Sequence, residues 1–316
     1  MQVTQIMEVD LVYLWVDGND PEWQGKKLAF TGKLSDKSEQ NNIGRYISNE
    51  ELKYSLRSVE KHVPWIRRIF IVTDNQKPEW LNTDHPKITV VDHKEIMPPE
   101  TIPCFNSTVI EYFLYKIPGL AEHFLLANDD MFFNAPLTPD FFFAKDGNPI
   151  VRLKRKLLGK LNFRLEPLIG KKLGQYASKV FEGALLVEKK WGKYYPGVPH
   201  HNVDAYRKSD YQKAVEEVFA EQIKMSQSHR IRTYGDIHRS AFAYYFLAID
   251  DAHLKYVGRR ESLRLLPYRH DLEKYIKKYR PCLVCINDNQ KVQGHHREKI
   301  VPFLSALFPK VSAFEK

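Results

Sequence analysis

The sequence predicts an α/β fold with a largely parallel, open sheet, and three observations lead there. Apolar runs of strand length alternate with amphipathic, helix-period stretches through the first half. Each run ends in Asp, Asn or another polar residue, so polar side chains gather past the carboxyl ends of the strands. The chain of 316 residues, 43% hydrophobic and 13% aromatic, is long enough to bury a large core.

The elements follow in order. "VDLVYLWV", residues 9 to 16, is a run of branched and aromatic residues and predicts a buried strand. Asp17-Gly18-Asn19-Asp20-Pro21 then marks a turn. Residues 24 to 46 are polar and irregular, and predict a mobile loop. A helix is expected from 49 to 61, with Ser48 and Glu51 as a capping box and Leu52, Leu56 and Val59 as its buried stripe. "IRRIFIVTD" and "KITVVDH" predict the second and third strands. "FNSTVIEYFLYKIPGL" predicts a capped helix stopped by Pro118-Gly119, and "EHFLLAND" a fourth strand.

From residue 137 the texture changes. Residues 154 to 174 are basic and weakly patterned, fitting either a mobile excursion or a surface helix. "DAYRKSDYQKAVEEVFAEQI" predicts an amphipathic helix, "DIHRSAFAYYFLAI" a buried one, and "KIVPFLSALFP" a short closing helix. This organisation implies one domain over 1–316. Its α/β half is expected over 8–145, and a basic excursion with a helical half over 146–316.

The net charge of +9 and pI near 9.2 favour anionic partners: nucleic acid, nucleotide sugars, phosphorylated glycans or a membrane surface. No apolar run is long enough to cross a membrane, and no secretory signal is visible at the start. Cys282 and Cys285 make one C-x-x-C pair, and Cys104 stands alone. One such pair is half of a structural zinc site, so ordinary thiols in a reducing compartment are expected.

The stretch "HFLLANDDMFFNAP" poses the chemical question. Asp129 and Asp130 stand between apolar neighbours, where like charges repel and desolvation worsens the repulsion. A divalent cation on a diphosphate would compensate them. An Asp-rich junction between strand and loop is the alternative. Arg57 lies off the apolar stripe of its helix, and Glu111 can close a capping box with Thr108.

Seven segments are informative together: "DLVYLWVDGNDPEW", "RYISNEELKYSLRSVEKHVPWIRRIFIVTDNQKPEWLN", "VDHKEI", "FNSTVIEYFLYKIPGLAEHFLLANDDMFF", "HNVDAYRKS", "HRIRTYGDI" and "CINDN". In this order they closely resemble the Stealth family of sugar-phosphate transferases. That family includes bacterial capsular-polysaccharide phosphotransferases and the catalytic core of the N-acetylglucosamine-1-phosphotransferase that tags lysosomal enzymes. The resemblance implies a fold related to nucleotide-sugar glycosyltransferases and dependence on Mg2+ or Mn2+. The reaction it implies moves hexose-1-phosphate or N-acetylhexosamine-1-phosphate from a UDP-sugar to an acceptor glycan, releasing UMP.

Carried over residue by residue, it implies His201, Arg232, Asp130 and Asp288 as catalytic. Substrate binding falls to Asp17, Arg57, Asp74, Asn106, Ser107, Glu111, Asn128, Arg230 and Asn287, and metal binding to Asp129, Asp130 and Asp288. His201 is the candidate general base, because imidazole titrates near neutral pH. Arg232 suits the transferred phosphate through its two-pronged guanidinium. Asp236 most simply caps the next helix. Two departures from the family pattern stand out. Asn49-Glu50-Glu51-Leu52 replaces a start with Asp, and His201-Asn202-Val203 replaces His-x-Pro, which leaves His200 as a rival to His201.

The implied partners are a UDP-sugar donor and a glycan acceptor, without nucleic acid, and a cytoplasmic site with peripheral contact at the inner membrane face is compatible. Two other readings compete: a metal-dependent glycosyltransferase releasing UDP, and a non-enzymatic basic protein binding glycan or nucleic acid.

Overall fold

A computed structural model describes residues 7–32, 44, 46–169 and 174–316. Its strands, in chain order, are β1 Val9–Leu14, β2 Ile69–Thr73, β3 Ile88–Asp92, β4 His123–Asn128, β5 Met131–Phe133, β6 Ile150–Arg155, β7 Gly197–Pro199, β8 Asp204–Arg207, β9 His253–Tyr256, β10 Ser262–Leu265 and β11 Leu283–Ile286. The main sheet has the order β3-β2-β1-β4-β8. Its first four strands are parallel, as the alternating pattern predicts, and β8 closes the edge antiparallel to β4. Two three-stranded sheets, β10-β11-β5 and β7-β6-β9, flank it.

The apolar runs are continuous because the central strands are covered on both faces. Val12, Phe70, Val72, Phe124 and Leu126 enter one core, while Leu11, Tyr13, Ile69, Ile71 and Leu125 enter the other. Leu52, Leu56 and Val59 of the helix Glu51–His62 join the second core, as their spacing predicts.

One junction positions the chemistry. β4 and β5 belong to different sheets, yet only Asp129 and Asp130 separate them. Asn128 lies opposite Leu14 in the main sheet, and Met131 lies opposite Cys285 in the second. The two aspartates therefore occupy the corner where the chain passes between sheets. The Ile286 amide donates to the Asp130 carbonyl at 2.9 Å and holds that corner in place.

Several local expectations need correction. The predicted loop from residue 24 is a helix as far as Thr31: the helix Pro21–Thr31 is capped by Asp20, whose carboxylate accepts from the amides of Glu22 and Trp23. The rest of that predicted loop, 33–43 and 45, lies outside the described residues. Ser48 does not cap the next helix; Glu51 instead turns its carboxylate back onto the amide and side chain of Asn49. The helix expected through Gly119 is short, Ser107–Glu111, followed by the tighter turn Leu114–Lys116. Asn106 caps it, so Glu111 is not needed for a capping box. Asp204–Arg207 forms β8 rather than the start of a helix, because β4 offers it a free edge. In the basic segment the helix Gly159–Ile169 is present, and 170–173 lie outside the described residues.

Candidate active site

A cavity of about 360 Å³ opens beyond the carboxyl ends of β1 and β4. Its lining carries the carboxylates Glu51, Asp129, Asp130 and Asp288 beside Asn128, and also Lys179, His201, Arg232, Arg239 and Arg264. Of the residues singled out in the sequence, His201, Arg232, Asp130, Asp288, Ser107, Glu111, Asn128, Asn287 and Asp129 line this one space.

Five other predicted residues are not on its wall. The Arg57 guanidinium binds both oxygens of Glu315, at 2.9 and 2.7 Å, and clamps the C-terminal tail. Asp17 builds the turn after β1, exchanging backbone hydrogen bonds with the Gln76 side chain. Asp74 is buried, 3.9 Å from the Lys26 ammonium. Asn106 caps its helix and donates to Asp236 at 2.9 Å. Arg230 donates to the carbonyls of Glu100 and Pro103. The fold occupies four of these side chains, while Oδ2 of Asp74 is buried with no hydrogen-bond partner; the motif alone could not reveal either.

The acidic wall is electrostatically uncompensated. Burial raises Asp129 well above its ordinary pKa, and the charges of Glu51 and Asp130 raise it further. Burial pushes Asp130 up to about 7, against a hydrogen bond donated by the Cys285 thiol to Oδ2 at 3.3 Å. Oδ1 of Asp130 is buried with no hydrogen-bond partner. Asp288 differs, because Arg297 grips both its oxygens, at 2.6 and 2.9 Å. Gly44 packs directly on that carboxylate, and a Cβ there would fall 2.6 Å from Oδ1 of Asp288. Cys104 and Cys285 are buried and Cys282 is half-buried, each without a disulfide.

This wall sets an expected pH dependence. A carboxyl whose pKa is raised by folding contributes stability that is present below its unfolded value and lost as pH rises through its folded value. For Asp130 that loss begins near pH 4, where the unfolded carboxyl ionises, and is complete near pH 7. His201, His93 and His62 are shifted down and titrate in the opposite sense, but equally in a variant at position 130. Asp130→Asn is therefore expected to gain roughly 1–3 kcal/mol on wild type between about pH 5 and about pH 8. Urea melts of metal-free protein across that range check this, and a constant difference overturns it.

The cationic lining is a network. The Arg239 guanidinium lies 3.1 Å from Glu111, and also pairs with Asp204 and the Tyr206 hydroxyl. Asp204 in turn meets Nε2 of His200 at 3.2 Å. Burial would raise the Asp204 carboxyl, but Arg239 and His200 outweigh it and hold it well below the usual range. His200 is thus tied into the network, and it is His201 that lines the cavity. His201 adopts a left-handed backbone, φ 57°, a strained conformation for a non-glycine residue. Burial, with the charges of Arg264, Arg239 and Lys154, lowers it to about 3. Its ring meets Tyr176 edge-on at 5.3 Å, and His238 meets the same tyrosine at 5.4 Å. Arg232 donates to the Ser107 hydroxyl.

Asp236 is not a helix cap but a buried hub. It accepts from Lys179 at 2.9 Å, from Asn106 at 2.9 Å, and from the amide and hydroxyl of Thr233. Asp236→Ala would strand the buried Lys179 charge. A loss of about 3–5 kcal/mol is expected, measured by urea denaturation at neutral pH. A change below about 1 kcal/mol overturns that role.

The sequence reading missed Glu51, Tyr176, Lys179, Asp204, His238, Arg239 and Arg264. Glu51 and Asp204 lie inside matched segments, and that was the available signal. The other five carry no motif that distinguishes them from surface or core residues.

Comparison with known proteins bears on this geometry. Residues 7–35 match the description "Stealth protein CR1, conserved region 1", and residues 45–151 match "Stealth protein CR2, conserved region 2". The exopolysaccharide phosphotransferase SCO6023 of Streptomyces coelicolor is 35% identical over 98% of this chain and 52% of its own length. The capsular polysaccharide phosphotransferase SacB of Neisseria meningitidis serogroup A is 31% identical over 98% of this chain and 57% of its own. The chain spans about half the length of the curated relatives it matches. Among solved structures, the galactosyltransferase LgtC superposes with a TM-score of 0.45 at 11% identity, over 96% of each chain.

Proposed function

We propose, because this chain belongs to the Stealth protein family, that it transfers a sugar-1-phosphate from a UDP-sugar to a glycan hydroxyl, releasing UMP. One observation carries the reading: uncompensated carboxylates and a cationic network line one cavity at the strand ends. A diphosphate there suits both sets of groups, with its oxygens toward the cations and a divalent cation toward the carboxylates. The printed names of the relatives, phosphotransferases of capsular and exopolysaccharide, support the same class.

At one end of the cavity Trp23 lies 5.0 Å from Tyr46 and 5.4 Å, edge-on, from Phe105. Such an aromatic surface suits a uracil ring. A hard cation, Mg2+ or Mn2+, fits Asp129 and Asp130 by donor chemistry, and the partnerless Oδ1 of Asp130 is the observation in its favour. Asp288 would have to release Arg297 to join them. Among the described residues no three His, Cys, Asp or Glu side chains are already gathered to hold an ion. When bound there, the cation would neutralise charge on the diphosphate.

In this reading the acceptor oxygen attacks the phosphorus that carries the sugar. The new P–O bond forms as the bond to the UMP oxygen breaks. His201, neutral at working pH, receives the hydroxyl proton. Arg232, steadied by Ser107, holds the transferred phosphate. Arg232→Lys keeps the charge but loses the two-pronged contact, so turnover is expected to fall about 10²-fold. A lysine variant with most of its activity would make Arg232 a generic cation.

The nucleotide released decides the reaction. With magnesium, a panel of UDP-sugars and glycan acceptors, UMP is expected. UDP would instead mean attack at the anomeric carbon and an ordinary glycosyltransferase. No turnover, with salt-sensitive nucleic-acid binding, would favour the non-enzymatic alternative.

A further inference from the structure

The helix Gly159–Ile169 faces the wrong way for an ordinary surface helix. Its inward contact is aromatic: the Phe163 ring stacks on Phe181 at 5.5 Å, anchoring it to the helix Gln175–Trp191. Its outward face is apolar as well. Leu157, Leu158, Leu161 and Leu165 are 71%, 64%, 52% and 39% exposed. The Asn162 amide bonds the Leu158 carbonyl, so the helical path already includes Leu158. At about 100° per residue, Leu158, Leu161 and Leu165 fall within an arc of roughly 60°, and Leu157 precedes them in the turn. Four neighbouring exposed leucines form a patch rather than scattered surface residues.

Charge surrounds this stripe. Lys154, Arg155 and Lys156 lead into it, and the exposed Arg164 borders it. Between residues 154 and 172 the sequence carries a single acid, Glu166. Lysine 160 pairs with Glu188 at the base of the helix and fixes its orientation. An apolar stripe with a basic border is the composition of a helix lying in a lipid interface. Among the described residues no helix is long and apolar enough to cross a membrane.

We infer that the segment Lys156–Leu165 docks this chain onto an anionic lipid surface, leucines in the acyl boundary and basic residues at the headgroups. Charge complementarity selects this occupant over a protein partner. The segment also links two walls of the cavity, since Ile150–Leu153 precede it and Tyr176 and Lys179 follow it. Docking would therefore hold the cavity close to the membrane. The inference stands apart from the reaction, as none of these leucines lines the cavity.

The test is sedimentation of the whole chain with vesicles of phosphatidylcholine, with and without phosphatidylglycerol. Binding is expected only with phosphatidylglycerol, falling as salt rises. The combined variant Leu158→Ser, Leu161→Ser and Leu165→Ser should lose about tenfold or more in vesicle affinity. Arg155→Glu with Arg164→Glu should also lose about tenfold or more. Both variants change exposed side chains, so unchanged circular dichroism and unchanged release of nucleotide from the donor with soluble acceptors are expected. No binding to anionic vesicles, or binding indifferent to the leucines, overturns the inference. So does a leucine variant whose only change is loss of self-association by light scattering, which would make the face a protein interface.

Discussion

Asp130→Asn is expected to leave the chain folded and to lower turnover about 10³-fold or more. The side chain stands at the corner between two sheets, with Oδ1 buried and partnerless and Oδ2 accepting from Cys285. Asparagine keeps the shape and can still accept the thiol hydrogen, so packing survives. It removes one charge where Asp129 and Glu51 already repel each other. Two opposite effects thus come from one substitution. The folded state should become more stable at alkaline pH, while the proposed cation site should lose a ligand charge. Magnesium should raise the melting temperature of wild type more than that of the variant, which reads the ion without turnover. Near wild-type turnover in saturating magnesium overturns the assignment.

His201→Ala is expected to slow the chemical step by roughly 10²- to 10⁴-fold and to leave donor affinity nearly unchanged. His201 lines the cavity, but its pKa near 3 makes the free imidazole a weak base. A bound diphosphate brings negative charge to the same space, and an anion nearby favours the protonated ring. Donor binding should therefore raise the His201 pKa, readable by NMR titration with and without UDP-sugar. His200→Ala is the paired control. Its ring meets Asp204 rather than the cavity, so it should lose stability more than chemical rate. Single-turnover rates separate the two. An inactive His200→Ala beside an active His201→Ala would move the role by one residue. If both variants remain active, the proton acceptor is a carboxylate of the acidic wall.

Much of the first half was legible because buried strands and a phased helix write themselves in residue type. Four parallel strands and the stripe of Leu52, Leu56 and Val59 follow from hydrophobic spacing, and the matched segments brought Asp129, Asp130, His201, Arg232 and Ser107 together. Local signals failed where tertiary partners competed. Asp204–Arg207 reads as helix by composition, but the open edge of β4 supplies ladder bonds that composition cannot express. Ser48 reads as a cap, but Glu51 is drawn onto Asn49 instead.

The sequence by itself determined which chemistry is available: a doublet of carboxylates after an apolar strand, histidines, and arginines in matched segments. It also determined the sheet that presents them. Only the tertiary structure decided which of these groups are free to act. Arg57 and Arg230 look like ligand-binding cations in the chain, yet Glu315 and two backbone carbonyls take them up. Lys179 and Arg239 carry no sequence signal, yet they reach the cavity through helices distant from the acidic corner. The physical reason is that charge is a property of a residue, whereas its compensation is a property of whatever folding brings within a few ångströms.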